Sequence, residues 1–151
     1  MRKNALAATL ALALATTAAA QIATDPELNG AWVDEYGFAF AFRDGNWEFF
    51  HVDGTQIEKG TFTTGDGVVS IVVTHIHGDE LAFLLGLDIA PGWHEFDEAR
   101  ELYIKALVAE GYSEEEAALE FDYFFGPIDW LYYVSGDALL LDGWAFTFTR
   151  M

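Results

Sequence analysis

The chain has 151 residues, no cysteine and a formal net charge of −18, from 25 acidic against 7 basic side chains. A surface of this charge repels phosphate groups, which argues against binding to nucleic acid and to anionic membranes. The lack of cysteine excludes a disulfide framework. Aromatic residues make up 16% of the chain, and they argue against disorder because they bury enough apolar area to offset the ordering entropy.

The first 20 residues have the pattern of a secretory signal peptide. Arg2 and Lys3 precede an apolar run at 5–15, and small residues follow at 18–20, which is the order of charged, apolar and cleavable regions. The apolar run is shorter than the roughly 20 residues of a membrane-spanning helix. We therefore predict export to the periplasm or the medium, with one domain over 21–151 and no membrane span.

Apolar and polar side chains alternate over residues 28–77, as they do in antiparallel strands. Phe38, Phe40 and Phe42 occupy every second position, and Trp47 and Phe49 do so in the next segment. Asp-Gly pairs separate several segments, and both residue types tolerate the positive φ of tight hairpins. The pattern predicts five strands, at 28–33, 37–42, 46–52, 56–64 and 68–77.

Residues 81–127 change to the three- and four-residue apolar spacing of amphipathic helices. One apolar stripe predicts a helix over 95–109, and Gly111 suits the residue that ends it. Ser113 with Glu116 forms a capping-box pattern, so a second helix is predicted over 113–125. Together they predict a helical hairpin inserted into a β-protein.

Alternation returns near the C-terminus and predicts three more strands, at 129–135, 138–141 and 144–150. Eight antiparallel strands with short hairpins can close into a barrel that leaves no exposed sheet edge. The predicted fold is mainly β, an eight-stranded antiparallel up-and-down barrel with the helical hairpin between strands 5 and 6.

The first and last predicted strands carry a distinctive combination of residues. Gly30-x-Trp32 lies on the first strand and Arg150 ends the last one. In this order the chain resembles the lipocalin or calycin family, and segment 59–78 is similar to small exported lipocalin-like proteins of bacteria. The resemblance implies that Trp32 plugs the closed end of the barrel and that Arg150 packs over it, although the helical insert departs from the family pattern.

Elementary physical chemistry gives the same expectation for these residues. A cation–π contact between the first and the last strand can form only if the sheet closes, so the pair Trp32 and Arg150 would stabilise closure. The alternative is that Trp32 is an ordinary core residue and Arg150 a solvated terminal charge.

The up-and-down order also sorts residues between the two ends of the barrel. The resemblance implies that Trp32 lies at the closed end, and the helical insert leaves at the opposite end. We therefore expect the insert to cover the open mouth as a lid, the alternative being an insert packed on the outer wall. His51, His75 and His77 fall at the same end, and His75 and His77 share one strand face. This spacing suits two ligands of a transition metal, so a metal site is one hypothesis and ordinary polar strand ends are the other.

The inward-facing aromatic residues predict either a ligand pocket or a filled core, because an eight-stranded barrel can accommodate both. They are Phe38, Phe40, Phe42, Trp47, Phe49, Phe62, Trp144, Phe146 and Phe148. The predicted function is binding of a small apolar ligand in the barrel interior, without catalysis or cofactor, since no nucleophile elbow, phosphate loop or zinc-protease motif is present. The alternative is an envelope protein-interaction module with a filled core, whose candidate contact residues are Phe124 and Phe125.

Overall fold

The structure is a computed structural model that describes residues 24–86, 88–143 and 145–151. The predicted signal peptide and Trp144 lie outside the described residues. Within these ranges the strands are β1 (Gly30–Val33), β2 (Ala39–Arg43), β3 (Asn46–Phe50), β4 (Gln56–Gly65), β5 (Val68–His77), β6 (Trp93–Glu95), β7 (Ile128–Ser135), β8 (Ala138–Leu141) and β9 (Phe146–Arg150). The helices are α1 (Gly78–Leu85), α2 (Phe96–Ala109) and α3 (Glu114–Phe125).

Eight of these strands close into an antiparallel barrel. Its order is β1, β2, β3, β4, β5, β7, β8 and β9, and β9 pairs again with β1. The predicted eight-stranded up-and-down barrel is therefore confirmed, with the helices inserted between the fifth and sixth strands of the barrel. The short strand β6 pairs with the end of β5 outside the eight-stranded ring.

Asp-Gly pairs lie in three of the hairpin connections, as predicted, and two of these, Asp44-Gly45 and Asp66-Gly67, are two-residue loops. Asp44, Asp66 and Asp142 have φ values of 50°, 53° and 50°, and the glycine after each of them also has a positive φ. Two successive residues with positive φ are what a type I′ hairpin turn requires. The turns fix the strand pairing and therefore decide which side chains face the interior.

The insert contains the predicted helical hairpin and one additional helix. At the start of α3, Ser113 Oγ accepts the N–H of Glu116 at 3.2 Å, and Glu116 Oε2 accepts the N–H of Ser113 at 3.0 Å, which confirms the capping box. The helix α1 has no such signal, because its N-cap is His77, whose Nδ1 accepts the N–H of Asp79 at 3.2 Å. An imidazole is not among the usual N-cap groups, so the sequence pattern does not predict α1.

The two ends of the barrel differ in packing. We call the end with the β2–β3, β4–β5 and β7–β8 turns the base, and the opposite end, where the helical insert leaves the barrel, the mouth. The base half is filled by large side chains that are at most 2% exposed, among them Trp32, Phe42, Trp47, Phe62, Ile71 and Leu139. Phe42 and Phe62 meet edge to face with 5.0 Å between ring centroids.

The helices pack on one side of the barrel. The helix α1 contacts β4 and β5, and α2 contacts α1, α3 and β5. Their buried side chains join the core of the barrel and include Leu81, Ala99, Tyr103, Phe121 and Phe125. Among the described helices, none has the length and apolar composition needed to cross a lipid bilayer.

Candidate ligand-binding site

Trp32 and Arg150 close the base through direct contact. The Trp32 side chain is fully buried, and the guanidinium carbon of Arg150 lies 4.1 Å from the centroid of its ring. The guanidinium also donates hydrogen bonds to the backbone carbonyls of Asn29 at 2.7 Å and Glu27 at 2.9 Å. The indole N–H of Trp32 donates to the carbonyl of Leu28 at 2.8 Å. The expected pair is therefore present, and it ties the first and last strands to the segment before β1.

Gly30 leaves the space that this contact needs. Its φ is +140°, and a Cβ atom at this position would lie 2.7 Å from Nη1 of Arg150. A larger residue would therefore displace the guanidinium from the base and adopt a backbone conformation that L-residues rarely take. Gly30, Trp32 and Arg150 act in closure of the barrel and lie away from the mouth.

A cavity of about 200 Å³ occupies the mouth half of the barrel. It is lined by Asp34, Phe38, Phe40, Phe49, Trp130, Leu141, Phe146 and Phe148. Phe40 packs at the centre of this group, with its ring centroid 4.9 Å from that of Phe148 and 5.0 Å from that of Phe49. Phe146 is 51% exposed, so the cavity meets solvent at the mouth.

The structure divides the predicted aromatic set between this cavity and the core. Five of the predicted residues line the cavity, namely Phe38, Phe40, Phe49, Phe146 and Phe148. Phe42, Trp47 and Phe62 do not line it, because they lie next to the base turns and fill the lower core. Alternation predicts the face of a strand on which a residue lies but not its height along the barrel axis. Trp130 and Leu141 complete the wall and were not in the predicted set.

Asp34 is the one charged side chain among the described residues that line the cavity. Its Oδ1 accepts the backbone N–H groups of Tyr36 at 2.9 Å and Phe38 at 2.8 Å. These bonds form an Asx turn between β1 and β2 and hold the carboxylate at the rim. The sequence places Asp34 in a turn at the mouth, but nothing in the pattern indicates that its side chain reaches the cavity.

The described part of the helical insert does not line this cavity. Every lining residue belongs to a barrel strand or to the β1–β2 turn, whereas the helices pack beside β4 and β5. None of the described helix residues lines this cavity, whereas buried helix side chains such as Leu81 and Phe121 join the barrel core. The lid and the outer-wall alternative therefore both stay predictions. On α3, Phe125 is 1% exposed and Phe124 is 44% exposed, so only one of the two candidate contact residues is accessible.

The three histidines proposed as metal ligands have separate surroundings. His51 lies 3.7 Å from Asp53, His75 lies 2.9 Å from the Thr74 hydroxyl, and His77 caps α1. No group of three His, Asp or Glu residues within the described ranges is arranged to hold a metal ion. The structure therefore does not bring His51, His75 and His77 together as a metal site.

A β-bulge explains why the histidines of β5 do not face the cavity. Gly60 pairs with Val73 and Lys59 pairs with His75, so Thr74 is one extra residue on β5. Such an insertion reverses the inward and outward faces of the residues that follow. Ile76 is therefore the buried side chain, and its neighbours His75 and His77 are only partly buried.

A second crevice, of about 190 Å³, lies between the β3–β4 turn and α1. It is lined by His51, Asp53, Thr55, Ile57, Asp79, Glu80 and Phe83. Next to it, Glu58 is 7% exposed and pairs in register with Phe49 and Ile76. Burial, assisted by the nearby charge of Glu80, raises the pKa of Glu58 to about 8. Burial also raises the pKa of Glu80, and the nearby His51 lowers this pKa by a smaller amount.

The fold and the cavity define the class of this protein as a closed eight-stranded antiparallel β-barrel with a helical insert and an apolar cavity at its mouth. No protein-family model matches the chain, and no curated protein matches it. Among solved structures, the chain is similar to an uncharacterized protein from Bacteroides eggerthii DSM 20697. The two share 11% sequence identity and a TM-score of 0.45, over 82% of this chain and 99% of that chain.

Proposed function

We propose that this protein is an exported, lipocalin-like binding protein that holds a small apolar ligand in the mouth half of its barrel. The observation that carries the proposal is the cavity, whose described lining residues are five phenylalanines, Trp130, Leu141 and Asp34. A concave, mostly apolar pocket with very few polar groups is typical of small-molecule binding sites. The base closed by Trp32 and Arg150 supports the lipocalin-like part of the proposal.

The size of the cavity limits the ligand. An apolar cavity of about 150 Å³ in another protein is large enough to bind benzene. A volume of about 200 Å³ therefore suits a molecule of one or two aromatic rings, and a long acyl chain would have to extend out of the mouth.

The lining residues favour binding over catalysis. Asp34 is the single titratable side chain among the described residues that line the cavity, whereas acid–base catalysis generally combines an acid and a base of different pKa in one site. The proposal therefore assigns the cavity a binding role and no turnover.

Titration with indole by isothermal calorimetry tests the proposed function. We expect saturable binding of one molecule, and we expect Leu141→Trp to abolish it because the larger side chain fills the cavity that Leu141 lines. Leu140→Trp is the matched control, since Leu140 is the neighbour on β8 that does not line the cavity. Circular dichroism checks that both variants fold.

Two results would contradict the proposal. The first is the absence of saturable binding of both indole and naphthalene to the wild-type protein. The second is equal indole affinity in folded Leu141→Trp and Leu140→Trp, which would place the binding outside the barrel cavity.

A further inference from the structure

We propose that the ligand of this cavity is an arylalkylamine, an aromatic molecule whose short side chain ends in an ammonium group that binds Asp34. This inference rests on the proposed function, because it names the chemical class of ligand for the same cavity. The aromatic part would lie among the phenylalanine rings, and the ammonium group would lie at the rim.

The carboxylate of Asp34 is arranged to accept one more hydrogen bond. Its Oδ1 already accepts the N–H groups of Tyr36 and Phe38. Its Oδ2 has no hydrogen-bond partner among the described residues, although Asp34 lines the cavity. Because the Asx turn holds the side chain in place, little conformational entropy is lost when a donor binds to Oδ2.

No basic side chain among the described residues lines the cavity to neutralise Asp34. Arg150 lies on Trp32 at the base, Lys59 lies over the ring of Trp93, and Arg100 pairs with Asp122. The remaining described cations, Arg43 and Lys105, lie at the base end of β2 and on α2. A ligand carboxylate would meet the like charge of Asp34, whereas a ligand ammonium would supply the missing opposite charge.

The aromatic wall and the net charge of the protein favour a cation in the same way. The faces of aromatic rings attract an ammonium group, and Phe38, whose N–H donates to Asp34, lines the same cavity. The net charge of −18 raises the local concentration of small cations around the molecule. A hydrogen bond to a charged group typically changes affinity by about 10- to 100-fold, so the ammonium group should dominate the choice among ligands with the same ring.

Three ligands that share an indole ring test this inference by calorimetry. They are tryptamine, which is cationic, 3-methylindole, which is neutral, and indole-3-acetate, which is anionic. We expect tryptamine to bind at least about tenfold more tightly than 3-methylindole, and indole-3-acetate to bind most weakly. Asp34→Asn keeps an oxygen that can accept the turn hydrogen bonds, so it should lower tryptamine affinity by about tenfold or more and change 3-methylindole affinity by less than about twofold.

Asp53→Asn is the matched control. Asp53 also lies at the mouth, its Oδ1 accepts the N–H of Thr55 in a similar turn, and it does not line the cavity. Asp53→Asn removes one negative charge, as Asp34→Asn does, but it should leave tryptamine affinity unchanged. An equal loss of tryptamine affinity in Asp34→Asn and Asp53→Asn would show that tryptamine responds only to the overall negative charge of the protein. This result would overturn the inference.

The ligand series separates this inference from the proposed function. If 3-methylindole binds and tryptamine binds no more tightly, the inference of an arylalkylamine ligand is wrong. The proposed binding of an apolar ligand in the barrel is then still supported. If none of the three ligands binds to the wild-type protein, both are wrong.

Discussion

Replacing Glu58 with glutamine is expected to stabilise the fold by about 3–5 kcal/mol at pH 8 and to change its stability little at pH 4. Glu58 is 7% exposed and lies on β4 in register with Phe49, which lines the cavity, and with the buried Ile76. Burial first, and the charge of Glu80 second, raise its pKa from 4.5 to about 8. Glutamine occupies nearly the same volume and never has to ionise in this environment.

The direction of the pH dependence follows from proton binding in the two states. In the unfolded chain Glu58 loses its proton near pH 4.5, whereas in the folded protein it keeps the proton until about pH 8. Between these values the folded state binds more protons, so the free energy of unfolding falls as the pH rises, by roughly 1.4 kcal/mol per unit. Glu80, whose pKa burial also raises, adds to the fall in the same direction.

Urea unfolding followed by tryptophan fluorescence at pH 4, 5, 6, 7 and 8 measures this effect. The free energy of unfolding of the wild-type protein should fall from pH 4 to pH 8, and that of Glu58→Gln should fall much less. Glu101→Gln is the control, because it removes one carboxylate from an exposed position on α2 and should retain the wild-type slope. Parallel curves for wild type and Glu58→Gln would show that Glu58 is not the source of the pH dependence.

The sequence predicts those parts of the fold that depend on neighbouring residues, such as turns and helix caps. It also predicts the contact that follows from closure of the barrel. Tight hairpin turns require positive φ, which Asp-Gly pairs tolerate, and Asp44, Asp66 and Asp142 adopt it. The reciprocal capping pattern of Ser113 with Glu116 marks the start of α3. Trp32 and Arg150 become neighbours because closing an eight-stranded sheet brings its first and last strands together.

The candidate site was less predictable because it depends on position along the barrel axis and on register. Phe42 and Phe40 share a strand face, yet Phe42 fills the base and Phe40 lines the cavity. The bulge at Thr74 reverses the faces of β5, and no residue type near it signals this on β5 itself. On the partner strand β4, a glycine stands opposite the bulge, and a Cβ atom on this residue, Gly60, would overlap the carbonyl oxygen of Val72.

Replacing Trp32 with alanine is expected to cost about 3–5 kcal/mol of stability, the range for deletion of a fully buried large aromatic side chain. Trp32 is 0% exposed, donates a hydrogen bond to the carbonyl of Leu28 and supports the guanidinium of Arg150. Its loss leaves a cavity at the base and removes two contacts, one to the last strand and one to the segment before β1.

Trp130→Ala is the informative comparison, because it deletes the same type of side chain from the mouth. Trp130 is only partly buried and lines the ligand cavity, so its loss should destabilise the fold by clearly less than the loss of Trp32. It should weaken indole binding, since the cavity loses an aromatic wall. Urea unfolding and indole titration of both variants measure these effects together. If Trp32→Ala proves no less stable than Trp130→Ala, closure of the barrel does not depend on the contact between Trp32 and Arg150.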